Sequence, residues 1–368
     1  MSSTASSPVP PVAPGRLISE ALWQRNDALP ALRYVDAEIT MATPLELTEG
    51  VFLFRLPLPF ALNHINVYLL REVDGWTLVD TGIDTAAARA HWEALFASAL
   101  FDGRPLRRIV VTHHHPDHLG LAGWLARKFA VPLWMTLGEL EVAGRYTDPQ
   151  RDVVAERTPL WSEHGLPVDV ARALLEHMPR YATQVCALPQ NLVEIDVTQQ
   201  LELGGRRWRP VIGRGHAPEH LSLWSEDGLV LIVGDQVLPK ITPNIAVWPG
   251  GDPNPLRSYL QSLHQFETMS PDTLVLPSHR QPFYGVARRM EEIRAHHEER
   301  LQVVLQASQH PMSAYEYLQA LFGRELRNEE IGFGLGEAIA HLNFLESEGF
   351  LSSCLDAGGC RRFALCRQ

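Results

Sequence analysis

The chain has 368 residues, 45% of them hydrophobic, and a formal net charge of −11, which is enough apolar material for one large domain and a smaller one. The acidic balance excludes a protein that meets nucleic acid or an anionic membrane with its whole surface; such a partner would need a local basic patch. Four cysteines, Cys186, Cys354, Cys360 and Cys366, with no Cys-x-x-Cys pair among them, exclude a disulfide scaffold and a zinc ribbon and favour a reducing compartment.

In chain order, residues 1–16 are rich in Ser, Pro and Ala, with neither a basic start nor an apolar core. They read as a disordered tail rather than a secretory signal. No run reaches the roughly 20 apolar residues of a spanning helix, so the expected setting is the cytoplasm, in soluble form. Residues 17–32 show patchy helical periodicity. Over 45–80, short β-branched and aromatic runs (51–56, 65–70 and 76–80) separated by Pro, Gly, Asp and Asn predict an antiparallel sheet. Between them the apolar loop 57–62, with two prolines, fits a substrate wall or a packed hairpin tip equally well. Residues 84–99 read as an amphipathic helix capped by Asp84 or Thr85, and 107–112 as a strand.

That strand delivers the densest ligand chemistry in the chain: His113, His114, His115, Asp117 and His118 fall within six positions. An extended segment alternates its side chains, so His113 and His115 point to one side and can converge on a cation, while His114 points the other way. Pro116 and Asp117 suit a turn into a helix over 118–129, and 131–135 reads as a further strand. Residues 138–185, rich in Glu, Arg, Ala and Leu with breaks at 148–149, 165–167 and 178–179, read as a helical insertion. The strand pattern returns over 192–233, with turns at Gly204-Gly205 and Asp227-Gly228, and again over 273–279. This half carries His216, His220, Asp235 and His279 at strand ends. A polar helix over 286–307 follows, then helices over 314–322 and 335–348 and a hairpin over 349–365.

The ordered set His113-x-His115-x-Asp117-His118, His216, Asp235 and His279 resembles the metallo-β-lactamase superfamily. The tail resembles the winged-helix extension of its β-lactamase-like-2 branch. The resemblance implies an α/β fold: an αββα sandwich of two mixed sheets flanked by helices over 17–308, with the insertion at 138–185, and a small winged-helix domain over 309–368. It implies that His113, His115 and His216 bind one metal, that Asp117, His118 and His279 bind a second, and that Asp235 bridges them. The ions would be two divalent metals, zinc first, with iron or manganese as alternatives. An Asp rather than a Cys at 235 departs from β-lactamases with a thiolate in the second site.

Two metals roughly 3.5–4 Å apart share a hydroxide and polarise the scissile group, which is a hydrolase's equipment. Asp117 is the candidate to orient that hydroxide and take up its proton. His114 is expected beside the site rather than on a metal; His64 and His220 are expected in structural roles, and His296, His297, His310 and His341 in ordinary helical positions. The expected reaction is hydrolysis of a thioester or related acyl ester. A phosphodiesterase or endoribonuclease and a lactonase are alternatives, and an iron-dependent oxygenase is a less favoured one. Residues 290–368 hold seven arginines and no lysine against twelve acidic residues, the wrong sign for phosphate contacts. Apolar material at 56–62, around Trp161 and at 247–249 suits an acyl chain instead. Arg214, Lys240, Arg257 and Arg280 lie near the metal motifs in sequence and are candidates to hold a carboxylate or phosphate. The expected partner is a small acyl substrate, with nucleic acid and membrane disfavoured and the tail serving dimer contacts or pocket closure.

Overall fold

The computed structural model describes residues 17–101, 103–177 and 181–366; the tail expected over 1–16 and the break expected at 178–179 lie outside them. The chain runs β1 (Arg33–Tyr34), β2 (Leu45–Thr48), β3 (Val51–Pro57), β4 (His64–Arg71), β5 (Trp76–Val79), α1 (Ala86–Phe96), β6 (Leu106–Val110), α2 (Pro116–Leu119), α3 (Ala122–Phe129) and β7 (Leu133–Met135). Three helices follow, α4 (Leu137–Thr147), α5 (Val153–Glu163) and α6 (Val168–His177). Then come β8 (Leu192–Glu194), β9 (Leu201–Leu203), β10 (Arg206–Gly213), β11 (His220–Ser225), β12 (Val230–Gly234), α7 (Pro255–Ser262), β13 (Leu274–Pro277) and β14 (Phe283–Tyr284). The last part is α8 (Val286–Ala307), α9 (Tyr317–Phe322), α10 (Asn328–Ser347) and the hairpin β15 (Leu351–Leu355) and β16 (Arg361–Leu365).

The strands form two seven-stranded mixed sheets, ordered β2-β3-β4-β5-β6-β7-β8 and β1-β14-β13-β12-β11-β10-β9, beside the two-stranded β15-β16 hairpin. The period of two along each strand explains the layering. In β3, Phe52, Phe54 and Leu56 face the outer helices, where they meet Trp92 of α1 and Leu125 of α3. Val51 and Leu53 face inward, against Leu221, Leu223, Ile232 and Leu276 of the other sheet. On that sheet Leu231 and Val233 turn outward onto α7, α8 and α10. The result is the helix–sheet–sheet–helix order. Strands with parallel neighbours, such as β5, β12 and β13, are buried along their whole length, as parallel pairing between covered faces requires.

The outer cluster on the second sheet also takes in Trp161 and Leu166 from the insertion, Tyr317, Leu335, Ile339 and Phe344 from the tail helices, and Leu351 and Phe363 from the hairpin. The apolar face of the tail is therefore continuous with that flank. Among the described residues, no helix is long and apolar enough to cross a membrane.

Three expectations need correction. Residues 17–32 contain no helix: the amides of Leu17 and Ile18 donate to the Glu298 carboxylate at 3.1 and 2.9 Å, and the Trp23 indole donates to Glu291 at 2.8 Å. The periodic apolar residues report burial against α8, not helical turns. The helix expected over 118–129 is two helices, broken around Gly120, where a Cβ would stand 2.6 Å from the Gly82 carbonyl. Finally, 113–115 is loop and 116–119 helix rather than an extended segment, because Pro116 sets the helical φ at the first position of α2.

Candidate metal centre

His113, His216, Asp235 and His279 sit just past strand ends, and His115, Asp117 and His118 lie at the start of and within the short helix that follows β6. Past the end of β6, Thr112 is pinned by Asp80, whose carboxylate takes the Thr112 amide at 2.8 Å and its hydroxyl at 3.0 Å. The chain then turns through His113 and His115 into α2, which presents Asp117 and His118 in its single turn. From the second sheet, the turn between β10 and β11 brings His216, the end of β12 brings Asp235, and the end of β13 brings His279. The seven residues, more than 160 positions apart at the extremes, converge in three overlapping groups: His113, His115 and His216; His113, His118 and Asp235; Asp117, His118 and His279. Within each group the ligand-type atoms all lie within 4.8 Å of one another.

The distances place Asp235 in the middle. Its Oδ2 is 3.5 Å from His118 Nε2 and 3.7 Å from His216 Nε2, and its Oδ1 is 3.4 Å from His279 Nε2. On one side His113 Nε2 lies 2.9 Å from His115 Nδ1 and 3.2 Å from His216 Nε2. On the other, Asp117 Oδ2 lies 3.3 Å from His279 Nε2 and 3.7 Å from His118 Nε2.

The outward nitrogens of His113, His118, His216 and His279 are engaged, and this fixes the orientations of those rings. Nδ1 of His118 donates to Asp80 at 2.8 Å, that of His216 to the Asn244 carbonyl at 3.0 Å and that of His279 to the His64 carbonyl at 2.9 Å. Nδ1 of His113 lies 3.0 Å from the Thr112 hydroxyl, which itself donates to Asp80 and so accepts here. Four rings therefore aim Nε2 at a common centre, the tautomer that metal ligation needs. His118 Nε2 and Asp235 Oδ1 are buried there with no hydrogen-bond partner, a cost accepted where an ion completes them. The donor set of imidazoles and carboxylates fits divalent metals of the zinc, iron or manganese kind.

The electrostatics agree. Burial drives His113 and His115 well below the usual imidazole range, and neighbouring rings add to it; His216 is lowered by burial as well. Such rings stay neutral and free to ligate. Burial opposes the charged forms of His118 and His279 too, but Asp117 and Asp235 outweigh it, raising His118 well above its usual value and His279 to about 10. The same pairing holds Asp235 well below the ordinary carboxylate range and lowers Asp117, against burial in both. The cavity thus favours positive charge at the Asp117–His118–His279 side, so cation binding there displaces protons.

His114 turns away from this centre, as its place in the motif predicted: its Nδ1 lies 2.6 Å from Glu139 Oε2. His220 accepts the Asp235 amide at 3.0 Å and so orients that carboxylate's backbone. His64 is buried, with Nε2 accepting the Arg280 amide at 3.2 Å and its carbonyl holding His279. Three of the four candidate cations have protein partners: Arg214 donates to the Pro218 carbonyl at 3.0 Å, Arg257 pairs with Glu348 and Lys240 lies 5.0 Å from the Tyr34 ring centre, while Arg280 enters the network through its backbone carbonyl, which accepts from Arg55. His297 and His341 are a buried pair 3.3 Å apart between α8 and α10, whereas His310 lies beyond the end of α8. The loop between β3 and β4 divides its apolar residues, burying Leu58 and leaving Phe60 46% exposed.

Sequence reasoning missed Asp80, Thr112, Glu139 and Asn244 as supports. Asp80 alone carried a signal, an acid directly after a wholly apolar strand end; Glu139 looks like any acid of a Glu-rich helix, and Asn244 acts through its backbone.

A model of the metallo-beta-lactamase superfamily matches residues 61–279, and one of the metallo-beta-lactamase-like C-terminal domain matches residues 301–366. A beta-lactamase domain protein from Burkholderia ambifaria, known from its crystal structure, is 41% identical with a TM-score of 0.81, over 91% of this chain and 97% of its own. A metallo-beta-lactamase family protein from Thermus thermophilus is 30% identical with a TM-score of 0.74, over 87% of this chain and 100% of its own. The probable metallo-hydrolase YqjP of Bacillus subtilis is 29% identical over 315 residues, 83% of this chain and 95% of its own.

Proposed function

We propose that this chain, which belongs to the metallo-beta-lactamase superfamily and is a metal-dependent hydrolase, cleaves a thioester or a related acyl ester with two divalent ions, zinc first. His113, His115 and His216 would hold one ion and Asp117, His118 and His279 the other, with Asp235, whose carboxylate lies 3.4–3.7 Å from His118, His216 and His279, available to both. The ions, when bound, supply an acidified water and polarise the substrate's acyl oxygen. Asp117 has the most exposed side chain of the carboxylates here, 19% against 10% for Asp235. It therefore faces the entering substrate and is the group to orient the attacking water and take its proton.

The observation that carries the acyl reading is an aromatic wall that three elements build along the loop leaving Asn244. Asn244, whose carbonyl holds His216, leads into a loop that carries Trp248. Trp248 meets Phe333 of α10 edge to face at 5.6 Å, and the Arg157 guanidinium lies 5.2 Å from its ring centre and 5.8 Å from that of Trp161. Phe333 is 56% exposed. Such a surface suits an acyl chain better than a polyanion. The tail, read as a winged helix, closes this wall rather than binding nucleic acid, consistent with its seven arginines and no lysine against twelve acids over 290–368. Contacts between two copies through the tail are a further role in this reading.

The test is hydrolysis of acyl-CoA thioesters, lactones and bis-p-nitrophenyl phosphate by metal-loaded protein, with salt dependence measured in parallel. The acyl reading expects thioester turnover, a shallow salt slope, loss of activity on chelation and a raised KM for long acyl chains in Trp248→Ala. Preferred turnover of the phosphodiester with a steep salt slope overturns it.

A further inference from the structure

The His113–His115 loop rises from the first sheet and the His216 turn from the second, about a hundred residues later in the chain. We propose that Glu139 and Glu219 form a reciprocal clamp that sets the span between these two segments, and so are positioning residues for the ion held by His113, His115 and His216. The proposal rests on the ligand reading given above.

The clamp is built at the start of α4. Glu139 is wholly buried. Its Oε2 accepts the His114 amide at 2.9 Å and lies 2.6 Å from His114 Nδ1, while its Oε1 accepts the Glu219 amide at 2.8 Å. One carboxylate thus grips the middle of the first metal loop and a residue three beyond His216. Glu219 answers in the opposite direction: its Oε2 accepts the Gly138 amide at 2.8 Å, and its carbonyl accepts the Thr136 hydroxyl at 2.8 Å. Thr136 is the N-cap of α4 and makes no capping bond with its side chain; its hydroxyl donates to the Glu219 carbonyl. The Glu219 carboxylate takes a free amide of the first turn instead, where the helix dipole favours an anion.

Shape and charge support the same role. At Gly138 a Cβ would stand 2.9 Å from Glu219 Cγ, so the close approach needs glycine. Burial alone would raise the Glu139 carboxyl, but the His114 ring and the two amides outweigh it and lower it, which keeps it an acceptor for all three donors. The insertion also returns to the same point at its far end, where the Tyr181 hydroxyl donates to the His114 carbonyl. The helices between β7 and β8 therefore begin and end on His114, the one histidine of the motif that faces no metal. A network whose hydrogen bonds centre on a buried carboxylate is rigid, and rigidity around ligands converts directly into metal affinity.

The test is Zn²⁺ or Co²⁺ titration of the full chain, with urea unfolding of the metal-free protein alongside. Glu139→Gln turns an amide NH2 toward donors and is expected to weaken binding of the ion at His113, His115 and His216 by about 10–100-fold. Glu219→Gln keeps an acceptor for Gly138 and is expected to bind nearly as wild type, whereas Glu219→Ala behaves like Glu139→Gln and serves if that variant fails to fold. Leu345→Ala, in the remote outer cluster, lowers stability without changing metal affinity. Wild-type affinity in both Glu139→Gln and Glu219→Ala, with affinity lost in His216→Ala, overturns the clamp alone. Wild-type affinity in His216→Ala overturns the ligand reading and the clamp with it.

Discussion

Asp80→Asn tests how far the proposed metal centre depends on a residue outside the proposed ligand set. Asp80 sits at φ 63°, a left-handed conformation that Asn tolerates better than other residues, so the backbone stays in place. Its Oδ1 takes the Thr112 amide and its Oδ2 takes both the Thr112 hydroxyl and His118 Nδ1. An asparagine that keeps its oxygen on the amide at 2.8 Å must turn its NH2 toward His118. The His118 ring then presents a lone pair at Nδ1 and carries its proton on Nε2, the atom 3.5 Å from Asp235. A protonated Nε2 cannot ligate. Loss of this orienting contact is expected to weaken the ion shared by Asp117, His118 and His279 by about 10–100-fold, or about 1.4–2.7 kcal/mol. The cost in folding stability should stay near 1–3 kcal/mol for one mispaired buried donor. Competitive Zn²⁺ titration reads the first quantity and urea unfolding of the metal-free chain the second. If Asp80→Asn binds both ions within twofold of wild type, the tautomer argument is wrong.

The buried His297–His341 pair should make the fold acid-sensitive. Burial lowers His341 to about 4, against the Glu337 carbonyl that accepts from its ring, and His297 well below its usual value, with Arg300 and His296 as the charged neighbours that lower both. A folded-state value below the unfolded one means that the unfolded chain binds more protons in between. The contribution is thus complete above pH 6.5 and is lost as pH falls toward about 4, by about 3 kcal/mol for His341. A His341→Gln variant should show a flatter decline in urea midpoint between those pH values, and an identical slope would count against the pair. Leu276→Ala removes a fully buried side chain from between the sheets, three residues before His279. It should cost about 2–5 kcal/mol in urea unfolding, and a loss below 1 kcal/mol would show that the layer is not close-packed there.

The amino-acid sequence by itself carried the candidate ligand set and its order, His113, His115, Asp117, His118, His216, Asp235 and His279, and placed His113, His216, Asp235 and His279 at strand ends. It could do so because the first four are local and the alternation of β-strands is written in adjacent residues. It also carried the helical character of 138–185 and the hairpin of the tail. Two of its errors shared a source: apolar periodicity in 17–32 and the single helix over 118–129 were read as local structure, when packing on α8 and the close approach at Gly120 decided them; the third, an extended 113–118, overlooked the helix start that Pro116 sets. Only the tertiary structure could show that Asp80 and Glu139 are buried, since a carboxyl side chain in sequence looks the same in a core as on a surface. The convergence of the two sheets was equally out of reach, because pairing over a hundred residues depends on which faces bury against each other. The insertion shows the difference most clearly: its composition gave helices, and only the fold brings both of its ends onto His114.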